Sequence, residues 1–181
     1  MPGRQDPRGG EPRNAPRDAS PAAVPNESQR LSNQLCFAVY AAAHAFGRAY
    51  RALLSEHDLT YPQYLVLLVL WEEEGLTVKE IGTRLFLDSG TLTPLLKRLE
   101  ASGHVRRARD RADERQVSIF LTPKGRGLQE RLACIPDQAG GMTGLDLEAR
   151  HALLDHLVTL RTGLHEETGA EKQAAQSADA A

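Results

Sequence analysis

Several features that mark membrane, secreted and β-rich proteins are scarce in this chain of 181 residues. It has no run of about 18 apolar residues, which argues against a membrane-spanning helix. The opening stretch, MPGRQDPRGGEPRN, lacks the apolar segment of a secretory signal, so we expect a cytoplasmic protein. Aromatic residues make up only 5% of the chain, which favours helices packed through Leu, Val and Ala over a β-sandwich.

Cysteine and metal-ligand patterns are sparse as well. Cys36 and Cys134 are the two cysteines and form no Cys-x-x-Cys pair, so we expect free thiols rather than a structural disulfide. The six histidines are scattered, and His151 and His156 are five residues apart rather than the three or four that share a helix face. We therefore expect no metal site and no cofactor.

The charge is unevenly distributed although the net charge is only −2. Residues 76–126 contain 11 Lys and Arg against 6 Asp and Glu, whereas the rest of the chain contains 11 against 18. A basic block within an acidic chain is typical of a nucleic-acid-binding module, although a solvated charged surface would give the same count.

The two ends of the chain lack apolar periodicity. We interpret residues 1–27, rich in Pro, Arg, Gly and Ala, as a disordered arm, and residues 169–181 as a disordered tail. Residues 28–168 then form one mainly α domain of the α+β class. In it we expect dimerisation helices at about 30–56 and 146–166 and a lobe at about 60–126.

Helix signals divide the central part of the chain. Ser32 is a candidate N-cap for a long first helix. Threonine followed by glutamine or glutamate three residues later forms capping boxes at Thr60 and Thr77. We expect the first of these helices to stop at Gly75 and the second near Leu85.

A tight turn at residues 86–88 precedes a helix from about 89 to 102, which Pro94 should delay or distort in its first turn. Two short strands, 105–109 and 116–121, flank the charged loop DRADER, and helix resumes from about 125 to 135. Helix, turn, helix and charged hairpin together predict a winged helix-turn-helix.

The second helix of such a unit enters the major groove of DNA and presents its first residues to base edges, while the wing presents arginine to the minor groove. Asp113 would brace Arg115, and a solvent-exposed hairpin is the plainer alternative for the wing. The candidate DNA-binding residues are Ser89, Gly90, Thr91, Thr93, Lys97, Arg98, Arg109, Arg111, Asp113 and Arg115.

The segment LFLDSGTLTPLLKRLEASGHVRRARDRADERQVSIFLTPKG resembles the recognition helix and wing of the MarR family of transcriptional regulators. The segment LSNQLCFAVYAA, followed by Tyr50 and Tyr61, resembles the organic hydroperoxide resistance (OhrR) repressors within that family. The resemblance covers about residues 31–164. It implies a homodimer on a palindromic operator and a reactive cysteine at Cys36 that is hydrogen-bonded by Tyr50 and Tyr61.

A redox sensor is the function that this resemblance implies. Near a helix N-terminus a cysteine gains thiolate character, and an organic hydroperoxide would oxidise it to a sulfenic acid. Cys36 and Tyr50 are fourteen residues apart, or about 21 Å along one helix, so Tyr50 must reach Cys36 from the partner subunit unless the helix breaks. Without the resemblance, an inert buried thiol is the plainer interpretation of Cys36.

Cys134 is a candidate second redox cysteine, but it lies about two helical turns before the position of the resolving cysteine in one OhrR branch. We therefore favour a one-cysteine sensor, trapped with a low-molecular-weight thiol or overoxidised, over a Cys36–Cys134 bridge between subunits. Two rival functions stay open. One is a thiol peroxidase, although the chain is expected not to be an enzyme, and the other is a MarR-type repressor released by a phenolic or other ligand.

Overall fold

The computed structural model describes residues 26–109 and 117–178, and for Arg109 and residues 168–178 it describes the backbone only. The described residues are mainly helical, with one small antiparallel sheet, which confirms the predicted fold class. The chain divides into two compact units, Met1–Ala42 and Ala43–Ala181. The predicted N-terminal arm lies outside the described residues up to residue 25.

The described part of the first unit consists of two 3₁₀ turns and the start of helix α1, Leu35–Leu54. Ser32 is not the N-cap of α1, because it lies inside the second turn, Leu31–Asn33. The Asn33 side-chain amide donates to the Glu27 carbonyl at 2.9 Å, and that of Gln34 donates to the Ser28 carbonyl at 2.6 Å. These amides satisfy carbonyls of the turns and so delay the start of the helix.

Two helices of the second unit begin at the predicted capping boxes. Helix α2 spans Tyr61–Glu72, and the Thr60 amide donates to Gln63 Oε1 at 2.8 Å. Helix α3 spans Val78–Leu85, and the Thr77 amide donates to Glu80 Oε2 at 2.7 Å. The predicted stop of α2 at Gly75 is three residues too late.

A short strand, β1 at Leu76–Thr77, follows α2 and was not predicted. Gly75 leads into it with φ +81°, and its amide donates to the Ile119 carbonyl at 2.9 Å. This turn into the sheet is why α2 ends early. A two-residue strand is too short to show the alternation by which strands are found in a sequence.

The turn at residues 86–88 leads into helix α4, Ser89–Ala101. The helix starts at Ser89 despite Pro94, so the expected delay of its first turn is wrong. Strands β2, Val105–Arg109, and β3, Val117–Leu121, form an antiparallel hairpin, and the strand order of the sheet is β1-β3-β2.

Three helices complete the chain: α5 at Pro123–Arg131, α6 at Ile135–Gly141 and α7 at Leu147–Ala178. The separate helix α6 was not predicted. Helix α7 includes residues 169–178, which the sequence analysis placed in a tail, because Ala, Glu, Lys and Gln in this segment are strong helix formers. Among the described residues, no helix is both long and apolar enough to cross a bilayer.

One hydrophobic core holds the second unit together. It joins α2, α3 and α4 to the sheet and to α5, and its members are fully or almost fully buried. Each buried leucine or isoleucine contributes roughly 1.5–3 kcal/mol through burial of its apolar surface. This core fixes α4 against the rest of the unit, so one face of α4 stays exposed in a defined orientation.

Candidate nucleic-acid interface and reactive thiol

The start of helix α4 is capped by Asp88. The Thr91 amide donates to Asp88 Oδ1 at 2.9 Å, and the Thr91 hydroxyl donates to Asp88 Oδ2 at 2.8 Å. These two hydrogen bonds lower the pKa of Asp88, which is therefore a carboxylate at neutral pH. The cap organises the first turn of α4, where the sequence predicts the DNA-reading residues.

Two glycines allow the close packing of the turn before α4. A Cβ atom on Gly82 would lie 2.6 Å from the Leu87 carbonyl oxygen, and the Leu87 amide donates to the Gly82 carbonyl at 2.9 Å. A Cβ atom on Gly90 would lie 2.9 Å from Asp88 Oδ1. Gly90 therefore leaves room for the capping carboxylate, a role that the sequence analysis did not give it.

The two faces of α4 differ sharply. Leu92, Leu96 and Leu99 are fully buried and attach the helix to the core. The predicted DNA-binding residues of the helix lie on the exposed side, except for Thr93, which is half-buried and donates its hydroxyl to the Ser89 carbonyl at 2.6 Å. The exposed ones are Ser89, Gly90, Thr91, Lys97 and Arg98.

Some of the basic surplus is used in contacts within the protein. Three arginines pair with glutamates in the described residues: Arg84 with Glu73, Arg107 with Glu100 at 3.1 Å, and Arg126 with Glu74 at 2.7 Å. Neither Lys97 nor Arg98 has an ion pair with any described residue. Both cations on α4 are thus free of ion pairs with the described residues and exposed.

The wing is described up to the ends of its two strands. Arg109 is the last residue of β2 and pairs in register with Val117 of β3. The predicted contacts at its tip, Arg111, Asp113 and Arg115, lie outside the described residues.

Tyr50 and Tyr61 come together in one chain. Their rings stack with centroids 4.3 Å apart, and the ring centroid of Tyr64 lies 5.8 Å from that of Tyr50. Burial, followed by the neighbouring tyrosines, raises the pKa of Tyr50 to about 12 from 10.0, and burial also raises the pKa of Tyr61. Both phenols therefore keep their protons at neutral pH and can act as hydrogen-bond donors.

The two cysteines lie in different settings, and both are exposed. Cys36 is the second residue of α1. Cys134 is the N-cap residue of α6, and its sulfur accepts a 3.5 Å hydrogen bond from the Gln138 side-chain amide. Cys36 therefore lies in the first turn of its helix, although the predicted cap residue, Ser32, is not the cap.

Comparisons with known proteins agree with this arrangement. Residues 48–132 match the family described as transcriptional regulator SarA/Rot. The chain is 71% identical over 153 residues to the HTH-type transcriptional regulator TtmR of Methylorubrum extorquens. The matched region covers 84% of this chain and 78% of that protein. The chain belongs to the MarR/SarA-like winged-helix transcriptional regulators. Its relatives in this family are DNA-binding regulators rather than enzymes.

Two further relatives place this MarR-like regulator near the OhrR group. It is 46% identical over 140 residues to the organic hydroperoxide resistance transcriptional regulator of Bacillus subtilis, with 77% of this chain and 95% of that protein covered. It also resembles reduced AbfR of Staphylococcus epidermidis bound to DNA, with a TM-score of 0.64, 40% identity and coverage of 76% and 96%. AbfR is also known in overoxidised and disulfide forms.

Two structural residues of the MarR-like regulator were missed in the sequence. Asp88 caps the helix, and Gly82 allows the turn to close. A sequence signal existed for Asp88, because aspartate is among the residues preferred at the N-cap of a helix. For Gly82 no local signal existed, since the contact that requires it is formed by a residue five positions later.

Among the described side chains, no three His, Cys, Asp or Glu residues form a cluster that could hold a metal ion.

Proposed function

We propose that this regulator is a repressor that binds a palindromic operator as a homodimer and releases it after an organic hydroperoxide oxidises Cys36. The observation that carries the proposal is the Tyr50–Tyr61 stack, because it supplies two protonated phenols at the positions the OhrR resemblance requires. Operator binding would place the protein with the chromosome, in the cytoplasm.

The DNA-binding lobe is proposed to span about residues 60–126. The exposed first turn of α4 would approach base edges and phosphates, and its unpaired cations Lys97 and Arg98 would contact the phosphate backbone. The wing would reach the minor groove through arginine, with Asp113 bracing Arg115. The contact set is Ser89, Gly90, Thr91, Thr93, Lys97, Arg98, Arg109, Arg111, Asp113 and Arg115.

The dimer is proposed to form through the first and last helices, at about 30–56 and 146–166. Helix α7 exposes a series of large apolar side chains that a monomer would leave in water, and α1 does the same near its start. Covering such surfaces is the usual function of a symmetric interface. The exposed apolar residues on α7 are Leu147, Leu153, Leu154, Leu157, Val158 and Leu164.

The tyrosines are proposed to reach Cys36 across the dimer axis. Helix α1 contains both Cys36 and Tyr50, fourteen residues apart, which corresponds to about 21 Å of helical rise. A hydrogen bond cannot span this distance. The phenols of one subunit would therefore donate to the sulfur of the other, so that the sensor is complete only in the dimer.

The proposed reaction is a two-electron oxidation of the sulfur. The Cys36 thiolate attacks the terminal oxygen of the hydroperoxide, an S–O bond forms as the O–O bond breaks, and the alkoxide takes a proton from solvent and leaves as an alcohol. The protonated sulfenic acid is a weaker acceptor than the thiolate. The phenol hydrogen bonds are then lost, and a shift of the helices would spoil the spacing of the two lobes.

The oxidised sulfur has two proposed fates. A low-molecular-weight thiol can condense with the sulfenic acid, forming a mixed disulfide with loss of water, or further hydroperoxide can overoxidise it. A Cys36–Cys134 bridge between subunits is the alternative. Non-reducing electrophoresis after treatment with cumene hydroperoxide separates these fates, because only the bridge gives a crosslinked dimer that Cys134→Ser abolishes.

The proposed function is tested by operator release in matched cysteine variants. The duplex is one that the wild-type protein selects from a random library, and its binding is measured before and after addition of cumene hydroperoxide. We expect Cys36→Ser to bind like wild type and to stay bound after treatment. The control, Cys134→Ser, should be released as wild type is.

The same experiment separates the redox repressor from its nearest rival. A repressor that answers a phenolic or other ligand does not need the sulfur of Cys36. If cumene hydroperoxide releases Cys36→Ser as readily as wild type, the redox proposal is wrong, and a MarR-type repressor without cysteine chemistry remains.

A further inference from the structure

Phe86 occupies an unusual backbone position in the turn between α3 and α4. Its φ of 55° lies in the left-handed region, where bulky side chains are rare and glycine or asparagine is favoured. The side chain is also 53% exposed. For a large aromatic residue in a strained backbone position with an exposed ring, we expect a contact that depends on the ring.

Two residues of α7 supply such a contact. The Arg161 guanidinium carbon lies 4.3 Å from the centroid of the Phe86 ring, which is cation–π geometry. The His165 ring meets the Phe86 ring edge-on, with centroids 5.9 Å apart and planes at 87°. Arg161 and His165 are four residues apart, so they lie on one face of α7 and can both contact the Phe86 ring.

This contact lies directly beside the start of α4, the proposed recognition helix. Phe86 comes two residues before Asp88, the cap of α4. His165 and Phe86 line a groove of about 490 Å³ together with Asp88 and Ser89. Helix α7 therefore touches the turn from which α4 projects, at a point where a small movement of the turn changes the direction of the helix.

We propose that Phe86 is a positioning residue for DNA recognition and that Arg161 and His165 hold it against α7. In the operator-binding dimer proposed above, on which this inference rests, α7 belongs to the interface between subunits. The ring contact would then connect that interface to α4 and so help to set the spacing of the two recognition helices. Phe86 itself need not touch DNA.

The test compares specific with non-specific binding. The specific probe is a duplex selected from a random library by the wild-type protein, and the non-specific probe is a scrambled duplex of equal composition. We expect Phe86→Leu and Arg161→Met each to weaken specific binding about tenfold while non-specific binding changes less than about twofold. Phe86→Tyr keeps an aromatic face and should bind like wild type.

A double variant tests whether the two residues act together. Because Phe86→Leu already removes the contact with Arg161, combining it with Arg161→Met should weaken specific binding no further than Phe86→Leu alone. Helix content measured by circular dichroism shows whether each variant is folded. Arg161→Met and Phe86→Tyr keep the proposal testable if Phe86→Leu does not fold.

Other outcomes would contradict the inference. If Arg161→Met weakens binding to both duplexes equally and lowers the slope of the salt dependence by about one, Arg161 is a phosphate contact instead. Unchanged specific binding in Phe86→Leu would show that the ring positions nothing. If the wild-type protein selects no duplex at all, the operator-binding proposal fails, and this inference fails with it.

Discussion

A tyrosine hydroxyl can stabilise a thiolate only while it carries its proton. The mutual packing of Tyr50, Tyr61 and Tyr64 secures this, because burial of each phenol disfavours the charged form. Tyr50 and Tyr61 were predicted from the resemblance to the OhrR repressors. Their stacking could not be read from the sequence, since it depends on how α1 and α2 pack.

His104 gives the protein a predicted sensitivity to acid. The side chain is buried, and burial, followed by the positive charge of Lys124, lowers its pKa from 6.5. In the unfolded chain His104 binds a proton at a higher pH than in the folded protein. The contribution of His104 to the free energy of unfolding is therefore fully present above about pH 6.5 and is lost as the pH falls through the folded pKa.

The measurement is the urea midpoint of unfolding as a function of pH. We expect the wild-type midpoint to decline below about pH 6.5, and we expect a shallower decline for His104→Gln, which cannot take up the proton. Equal slopes for the two proteins would show that His104 does not carry the effect.

At the scale of helices and strands, the sequence was informative where the determining contacts are local. The boxes at Thr60 and Thr77 predicted the starts of α2 and α3 because each box is complete within four residues. The start of α1 was predicted wrongly because the side chains of Asn33 and Gln34 donate to carbonyls six residues earlier in the chain. Strand β1 was missed because its partner, β3, lies about forty residues away.

The turn between α3 and α4 is predicted to be intolerant of a side chain at Gly82. In Gly82→Ala the new Cβ would meet the Leu87 carbonyl oxygen at 2.6 Å, a contact that the backbone must move to relieve. We expect a loss of roughly 1–3 kcal/mol in the free energy of unfolding. Weaker operator binding should accompany it, because the same turn sets the direction of α4.

Gly127 is the matched control for this substitution. It lies exposed in the middle of α5, and a Cβ atom there would have no neighbour within 4 Å. Gly127→Ala should therefore stabilise the protein by up to about 1 kcal/mol, since alanine favours helix. Thermal or urea unfolding of both variants checks the pair. Similar stability changes in the two would contradict the steric explanation for Gly82.

At the scale of the whole molecule, the uneven charge predicted a basic segment but could not show which of its cations are free of ion pairs. The surplus in residues 76–126 includes Arg84, Arg107 and Arg126, which are paired with glutamates. Two of those glutamates, Glu73 and Glu74, precede the counted segment, so a count along the chain could not detect the pairing. Lys97 and Arg98 are in none of these pairs, and they are the phosphate contacts proposed on α4.

The central claim is that the sulfur of one subunit is activated by the phenols of the other, and mixed dimers test it most directly. In the first mixed dimer, one subunit carries Cys36→Ser and the other carries Tyr50→Phe with Tyr61→Phe, so the remaining sulfur faces intact phenols across the axis. In the second, a wild-type subunit is paired with one that carries all three changes, so its sulfur faces phenylalanines. The measurement is the rate of sulfenic acid formation at Cys36 with cumene hydroperoxide.

The first dimer should react at the wild-type rate per sulfur, and the second should react at least about tenfold more slowly, because hydrogen bonds to a charged sulfur are lost. The reverse order of rates would place the phenols in the same subunit as the sulfur. Equal rates in both dimers and in wild type would show that these tyrosines do not activate Cys36 at all.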